Sequence, residues 1–236
     1  MSRLSNMIPR TVASMLFVLT LSLAGAHAAA GDFERAAVHL ERNMQDHDFE
    51  VSFEVIGAEA GLSALKVVAP DGRTVIDFKT PASKLGMRHL TLESPEPTND
   101  RLLRADFPAG TYRFEGRTTG GAVLHAKAAL THDFPAPAEF EHPRPDQKDV
   151  AATGLTLRWR APDGLAACLL VVEQPGSSFE IKAHLPGTAR EFAVPNGFLQ
   201  PGKSYRFAIG TMSADGNRTI VEAGFVTEPT QKAQQR

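Results

Sequence analysis

The stretch PGKSYRFAIG at residues 201–210, and its near-copy PAGTYRFEG at 108–116, decide how this sequence is read. Each joins a turn built from Pro and Gly to a Tyr-Arg-Phe strand. A phrase of this kind, written twice about one domain length apart, indicates two copies of one kind of folding unit.

Around the second copy, LTLRW (155–159) alternates with Leu155, Leu157 and Trp159 inward. AACLLVVEQ, FEIKAH, AREFAV, SYRFAIGT and TIVEAGFVT follow, separated by Pro-Asp-Gly, Gln-Pro-Gly, Leu-Pro-Gly and Asp-Gly-Asn. Short alternating strands punctuated by such turns predict a β-sandwich. Around the first copy, FEVSFEVI (49–56) alternates apolar and polar residues. ALKVVA and TVIDF flank the turn Pro70-Asp71-Gly72, and HLTLE, TYRFEG and AVLHAKAALT complete about six strands. Ahead of them, Phe33, Ala36, Ala37, Leu40 and Met44 fall on one helical stripe, which predicts a short helix over 32–47 with Asp32 as its N-cap. Between the two sets, FPAPAEFEHPRP (134–145) holds four prolines and reads as a semi-rigid linker.

The second unit resembles a fibronectin type III domain. The resemblance is carried by Trp159, Pro162, Leu199-x-Pro201-Gly202-x-x-Tyr205-x-Phe207, Asp215-Gly216 and Thr227. It implies that Tyr205 is a tyrosine corner, its hydroxyl bonded to the backbone a few residues upstream. Phe107-Pro108-Ala109-Gly110-Thr111-Tyr112 looks like the same corner one residue shorter, so the first unit is expected to be immunoglobulin-like. The expected fold is all-β: two tandem sandwiches with one short N-terminal helix. The expected segments are a signal peptide (1–28), helix and first sandwich (29–134), linker (135–145), fibronectin type III domain (146–229) and polar tail (230–236).

The signal peptide rests on Arg3 and Arg10, the apolar run Ala13–Ala24, and the small-residue triplet Ala26-His27-Ala28. It predicts a periplasmic or secreted protein without a membrane span. The chain has 25 basic and 27 acidic residues, net −2. A mixed, mildly acidic composition argues against nucleic acid as the main partner. Cys168 is the only cysteine, so the sandwiches are expected to hold by packing without a disulfide.

Signatures of chemistry are sparse. Gly-x-Ser-x-Gly, Walker, dinucleotide, His-Glu-x-x-His and EF-hand patterns do not occur. Cys168 is expected in the core, and neither catalytic residues, metal ligands nor cofactor-binding residues are predicted. His132-Asp133 and the carboxylates Glu93, Glu96, Asp100 and Asp106 read as ordinary surface groups, and Asn217-Arg218-Thr219 fits a glycosylation pattern.

Three features bear on contact with a partner, one being the 32–47 helix, whose stripe packs on its own domain or lies in a partner's groove. AACLLVV (166–172) is apolar on both sides, so Leu169 and Val171, with Phe179 and Ile181 of the next strand, form a candidate contact face. The stretch SPEPTNDRLLRAD (94–106) is long for a connection, and Arg101, Leu102, Leu103 and Arg104 are its candidate recognition tip, or a lid over the core. The expected function is a non-catalytic exported binding or adaptor protein that contacts protein or saccharide of the cell envelope without a cofactor. The alternatives are a pilus-type periplasmic chaperone, which completes a partner's sheet, and an envelope-polymer hydrolase.

Overall fold

The computed structural model describes residues 33–230 apart from 81 and 83. The expected signal peptide and the tail beyond 230 lie outside the described residues. The first half contains β1 (Arg35–Asn43), β2 (Asp48–Ile56), β3 (Leu62–Val68), β4 (Thr74–Lys79), β5 (His89–Glu93), α1 (Asp100–Asp106), β6 (Gly110–Thr118) and β7 (Val123–Leu130). The second contains β8 (Glu139–His142), β9 (Gln147–Val150), β10 (Thr156–Arg160), β11 (Ala167–Glu173), β12 (Glu180–Pro186), β13 (Glu191–Ala193), β14 (Ser204–Met212) and β15 (Arg218–Thr227).

Each half buries a core of its own between two sheets. In the first, Val38, Leu40, Val51 and Phe53 meet Leu65, Val67, Tyr112 and Phe114. In the second, Leu157 and Trp159 meet Cys168, Leu170, Phe207 and Phe225. Both follow from strand alternation, in which every second side chain faces inward. Burial of each large apolar side chain stabilises by roughly 1.5–3 kcal/mol, so packing of this kind can hold a sandwich without a disulfide.

The two halves are not separate beads. β1 runs parallel to β15, with Glu41, Arg42 and Asn43 beside Arg218, Thr219 and Ile220. This pairing merges β1-β2-β5 with β12-β11-β14-β15 into one sheet of eight strands, counting β9, which also pairs with β15. The facing sheets stay separate, β4-β3-β6-β7 in the first half and β13-β10-β8 in the second.

Three expectations are corrected here. Residues 35–43 are strand β1, and the helix predicted over 32–47 does not form. Its register with β2 runs unbroken from Arg35↔Ile56 to Asn43↔Asp48. Val38 and Leu40 are core residues by period two, and the helical stripe arose because alanines fit either period. A short isolated helix is marginal in water, whereas the strand gains pairing along both edges. The Pro-rich stretch expected as a connector contains β8, whose Phe140 pairs beside Trp159 and lies 4.3 Å, centroid to centroid, from Phe207. The loop 94–106 ends in helix α1, where the Asn99 side chain caps the Arg101 N–H at 2.9 Å and Arg104 pairs with Asp100 one turn back.

Candidate functional site

The repeated phrase has a specific structural role in each half. The Tyr112 hydroxyl donates to the Pro108 carbonyl at 3.1 Å. The Tyr205 hydroxyl instead accepts from the Gln200 N–H at 2.7 Å. Gly110 stands two residues before its tyrosine and Gly202 three before its own, so the shorter turn offers a carbonyl where the longer one offers an N–H. Pro108 has no N–H to give, and a phenol can serve in either role.

Tyr205, Trp159 at the end of β10, and the strand orders β13-β10-β8 and β12-β11-β14-β15 settle the architecture of the second half. It has the fibronectin type III fold. The first half is an immunoglobulin-like sandwich with its own tyrosine corner. Among solved structures, a two-domain fibronectin type III segment of chicken tenascin aligns over 84% of this chain and 100% of its own, at 13% identity and TM-score 0.32. Fibronectin(III)-like modules of Clostridium thermocellum CbhA align over 86% and 97%, at 10% identity and TM-score 0.35. A tetra-tandem repeat from the extending region of a large adhesion protein aligns over 83% and 50%, at 13% identity and TM-score 0.32. No family model matches the chain, and no curated protein matches it in sequence.

The junction between the halves is the most elaborate polar site among the described residues. Asn217, almost fully buried in the turn before β15, accepts from the Leu40 N–H at 2.8 Å through its side-chain oxygen. Its amide nitrogen donates to the Thr131 hydroxyl at 2.8 Å and the Asp133 carbonyl at 2.9 Å. One amide thereby ties β15 to β1 and to the connector after β7. Arg42 lies 4.8 Å over the Phe134 ring and donates to the Thr219 hydroxyl at 3.1 Å, while Arg218 pairs with Glu41 at 3.2 Å with both side chains mostly buried. Asn43 reaches Glu222 at 3.1 Å. Beside it, a cleft of 230 Å³ is lined by Gln45, Asp46, Asp146, Arg206 and Glu222. In the folded chain the Asn217 amide is fully engaged, which leaves the glycosylation pattern without a free acceptor.

The face of the eight-stranded sheet turned away from the cores carries the titratable groups. Burial, then the Glu41, Glu93 and Glu96 carboxylates, push the Glu50 carboxyl up to about 9, and burial with Glu96, Asp46 and Glu222 raises Asp48 to about 6. His39 is buried on β1 and held well below the usual imidazole range by burial and by Arg218 and Arg35. The same causes lower His184 to about 4.

The candidate contact residues separate. Leu169 and Val171 are fully buried and form a third apolar cluster with Ala208 and Ile220. Ile181 is in register with Val172 and packs on the second core, so it lies on the opposite side from Leu169 and Val171. Phe179 precedes β12 and is 72% exposed. The four residues thus do not make one face, because the β11–β12 register sets Ile181 beside a core residue. In α1, Leu103 seats in the first core while Leu102 remains exposed between Arg101 and Arg104. Leu103 therefore serves as a lid and is withdrawn from the candidate tip.

The remaining chemical candidates have structural surroundings. Cys168 is buried, and burial pushes its thiol up, away from the nucleophilic thiolate. The His132 ring nitrogen Nε2 lies 2.8 Å from the Phe107 carbonyl. Among the described residues no three His, Cys, Asp or Glu side chains group to hold a metal ion, and none of the helices is long and apolar enough to cross a membrane. Sequence reasoning missed the junction. Its one visible signal was Asn217-Arg218-Thr219, read there as a possible modification motif.

Proposed function

We propose that the chain is a non-catalytic, exported binding or adaptor protein whose sandwich surfaces contact protein or saccharide of the cell envelope. The observation that carries this reading is the parallel β1–β15 pairing with its buried side-chain clamp. The clamp fixes two sandwiches at one spacing, which suits a part that presents two surfaces to a partner at once. The Arg-flanked apolar segment at residues 3–24 supports export.

The test immobilises the chain from residue 29 and exposes it to envelope extract, alongside an Asn217→Ala variant that loosens the clamp. A partner bridging both halves is retained by the parent and weakened by the variant. In parallel, the purified protein is incubated with envelope polymers. Saturable retention without product supports the reading, and sustained release of product would overturn it.

A further inference from the structure

The outward face of β4-β3-β6-β7 is exposed, and its charge differs from that of the chain. Pairing registers place Lys66, Lys79, Arg113, Arg117 and Lys127 on this face, against the acids Asp77 and Glu115. Five cations against two acids leave a net excess of three positive charges, on a chain whose net charge is −2.

The placement of these charges is more telling than their number. Arg113 stands directly opposite Lys127 in the β6–β7 ladder. Like charges facing one another across an exposed antiparallel pair destabilise the sheet. Neither side chain has an ion-pair partner among the described residues. Of the two acids, Asp77 pairs with Lys79 at 3.5 Å, while Glu115, between Arg113 and Arg117 on β6, sits opposite Lys66 on one side and His125 on the other and offsets one of the surrounding cations. The sheet therefore retains a repulsive cation pair that an external anion would relieve. Arg117 lies four residues along the same strand, roughly 13 Å from Arg113 at the usual strand rise. Cations spread over that span suit a chain of anionic groups better than one small anion.

The face also lacks aromatic side chains. Tyr112 and Phe114 of β6 both point into the core. Single-stranded nucleic acid is ordinarily held by stacking on aromatic platforms, and duplex readers insert a helix or ribbon into a groove. Neither feature is present on this sheet face.

We propose that this face binds a linear anionic polysaccharide, with its carboxylate or sulfate groups held by Arg113, Lys127 and Arg117 and supported by Lys66. The proposal rests on the reading of the chain as a binding module and specifies its ligand. It is tested by fluorescence anisotropy with the chain from residue 29 and labelled polygalacturonate and heparin, in about 0.05 M salt. Neutral dextran and a single-stranded DNA of about 20 nucleotides serve as comparison probes.

Two double variants carry the same change in net charge, Arg113→Glu with Lys127→Glu on the face and Lys148→Glu with Lys203→Glu on the second sandwich. Circular dichroism verifies folding, and Arg113→Gln with Lys127→Gln replaces the first pair if it does not fold. The expected result is binding of the acidic polysaccharides but not dextran, weakening as salt rises. The face variant should lose about tenfold in affinity and the distant variant less than about threefold. Absence of binding by the parent protein, equal loss in both variants, or tighter binding of DNA would each overturn the proposal. If polysaccharide is not bound while envelope capture still retains a partner, the ligand assignment alone fails. New reducing ends in the polysaccharide would overturn the non-catalytic reading as well.

Discussion

Replacing Asn217 with alanine isolates the contribution of the clamp between the two sandwiches. The substitution leaves the Leu40 N–H, on a strand residue that is 1% exposed, without an acceptor. An unpaired buried donor costs about 1–3 kcal/mol. The Thr131 hydroxyl and Asp133 carbonyl also lose a donor, but both sites are partly open, so water replaces it at about 0.5 kcal/mol each. The sum is about 2–4 kcal/mol, a substantial fraction of the roughly 5–15 kcal/mol typical of a folded protein. Urea unfolding followed by far-ultraviolet circular dichroism measures it. Asn217→Asp sharpens the test. Its carboxylate keeps the acceptor for Leu40 but turns an oxygen toward the Thr131 and Asp133 oxygens, with Asp215 at 3.4 Å from the original nitrogen. That variant should be weakened at neutral pH and recover as acid protonates the new carboxyl. A loss under about 0.5 kcal/mol for Asn217→Ala would mean that the buried Leu40 N–H finds another partner and that Asn217 is not the clamp.

Other consequences follow from the same geometry. His39 is neutral when folded and protonates near its ordinary value when unfolded, so the unfolded state binds the extra proton below about pH 6.5. Stability contributed by this residue is lost as pH falls through that range, and His39→Gln should flatten the decline in urea titrations between about pH 6.5 and 5. Glu50 has the opposite sign. The folded state holds a proton that the unfolded state releases above about pH 4.3, up to the raised value of about 9. Stability therefore falls as pH rises across that window, and Glu50→Gln should gain on the parent protein from pH 5 to pH 8. The tyrosine corners should respond unequally to phenylalanine. Tyr205→Phe removes two bonds, the one accepted from the Gln200 N–H and one donated to the Gln174 side chain, and should cost about 1–2 kcal/mol, whereas Tyr112→Phe removes one bond to a carbonyl and should cost about 1 kcal/mol by thermal or urea unfolding.

The second sandwich was legible because its signals are local. Alternation around Trp159, the turn residues, and the Tyr205 phrase all act within a few positions of one another. The strand β1 was not legible, because Ala36, Ala37 and Leu40 satisfy a helical stripe as well as a period of two. What decides between them is pairing with β2 and with β15, and Leu40 meets Asn217 across 177 positions of sequence. The same distance hid the junction, whose members Arg42, Asn43, Asn217 and Thr219 look like ordinary polar residues when read in order. Proline content suggested a linker over 134–145, yet Phe140 finds a place beside Phe207 and pulls the segment into a sheet. For the candidate contact face, apolar content identified Leu169 and Val171 as unusual. The register that separates them from Ile181 is a property of strand pairing, and it is set by residues on both strands.

The shared sheet should make the two sandwiches one cooperative body. Trp159 is the single tryptophan and lies in the second core, while Leu65 lies in the first core on β3, outside the shared sheet. Leu65→Ala should cost about 2–5 kcal/mol through the cavity it leaves. The decisive measurement is urea unfolding of that variant, followed by Trp159 fluorescence and circular dichroism together. A single coincident transition, with the fluorescence midpoint lowered along with the other, is the predicted result. An unmoved Trp159 transition, preceded by a separate step in circular dichroism, would mean that the two sandwiches unfold independently despite the shared sheet.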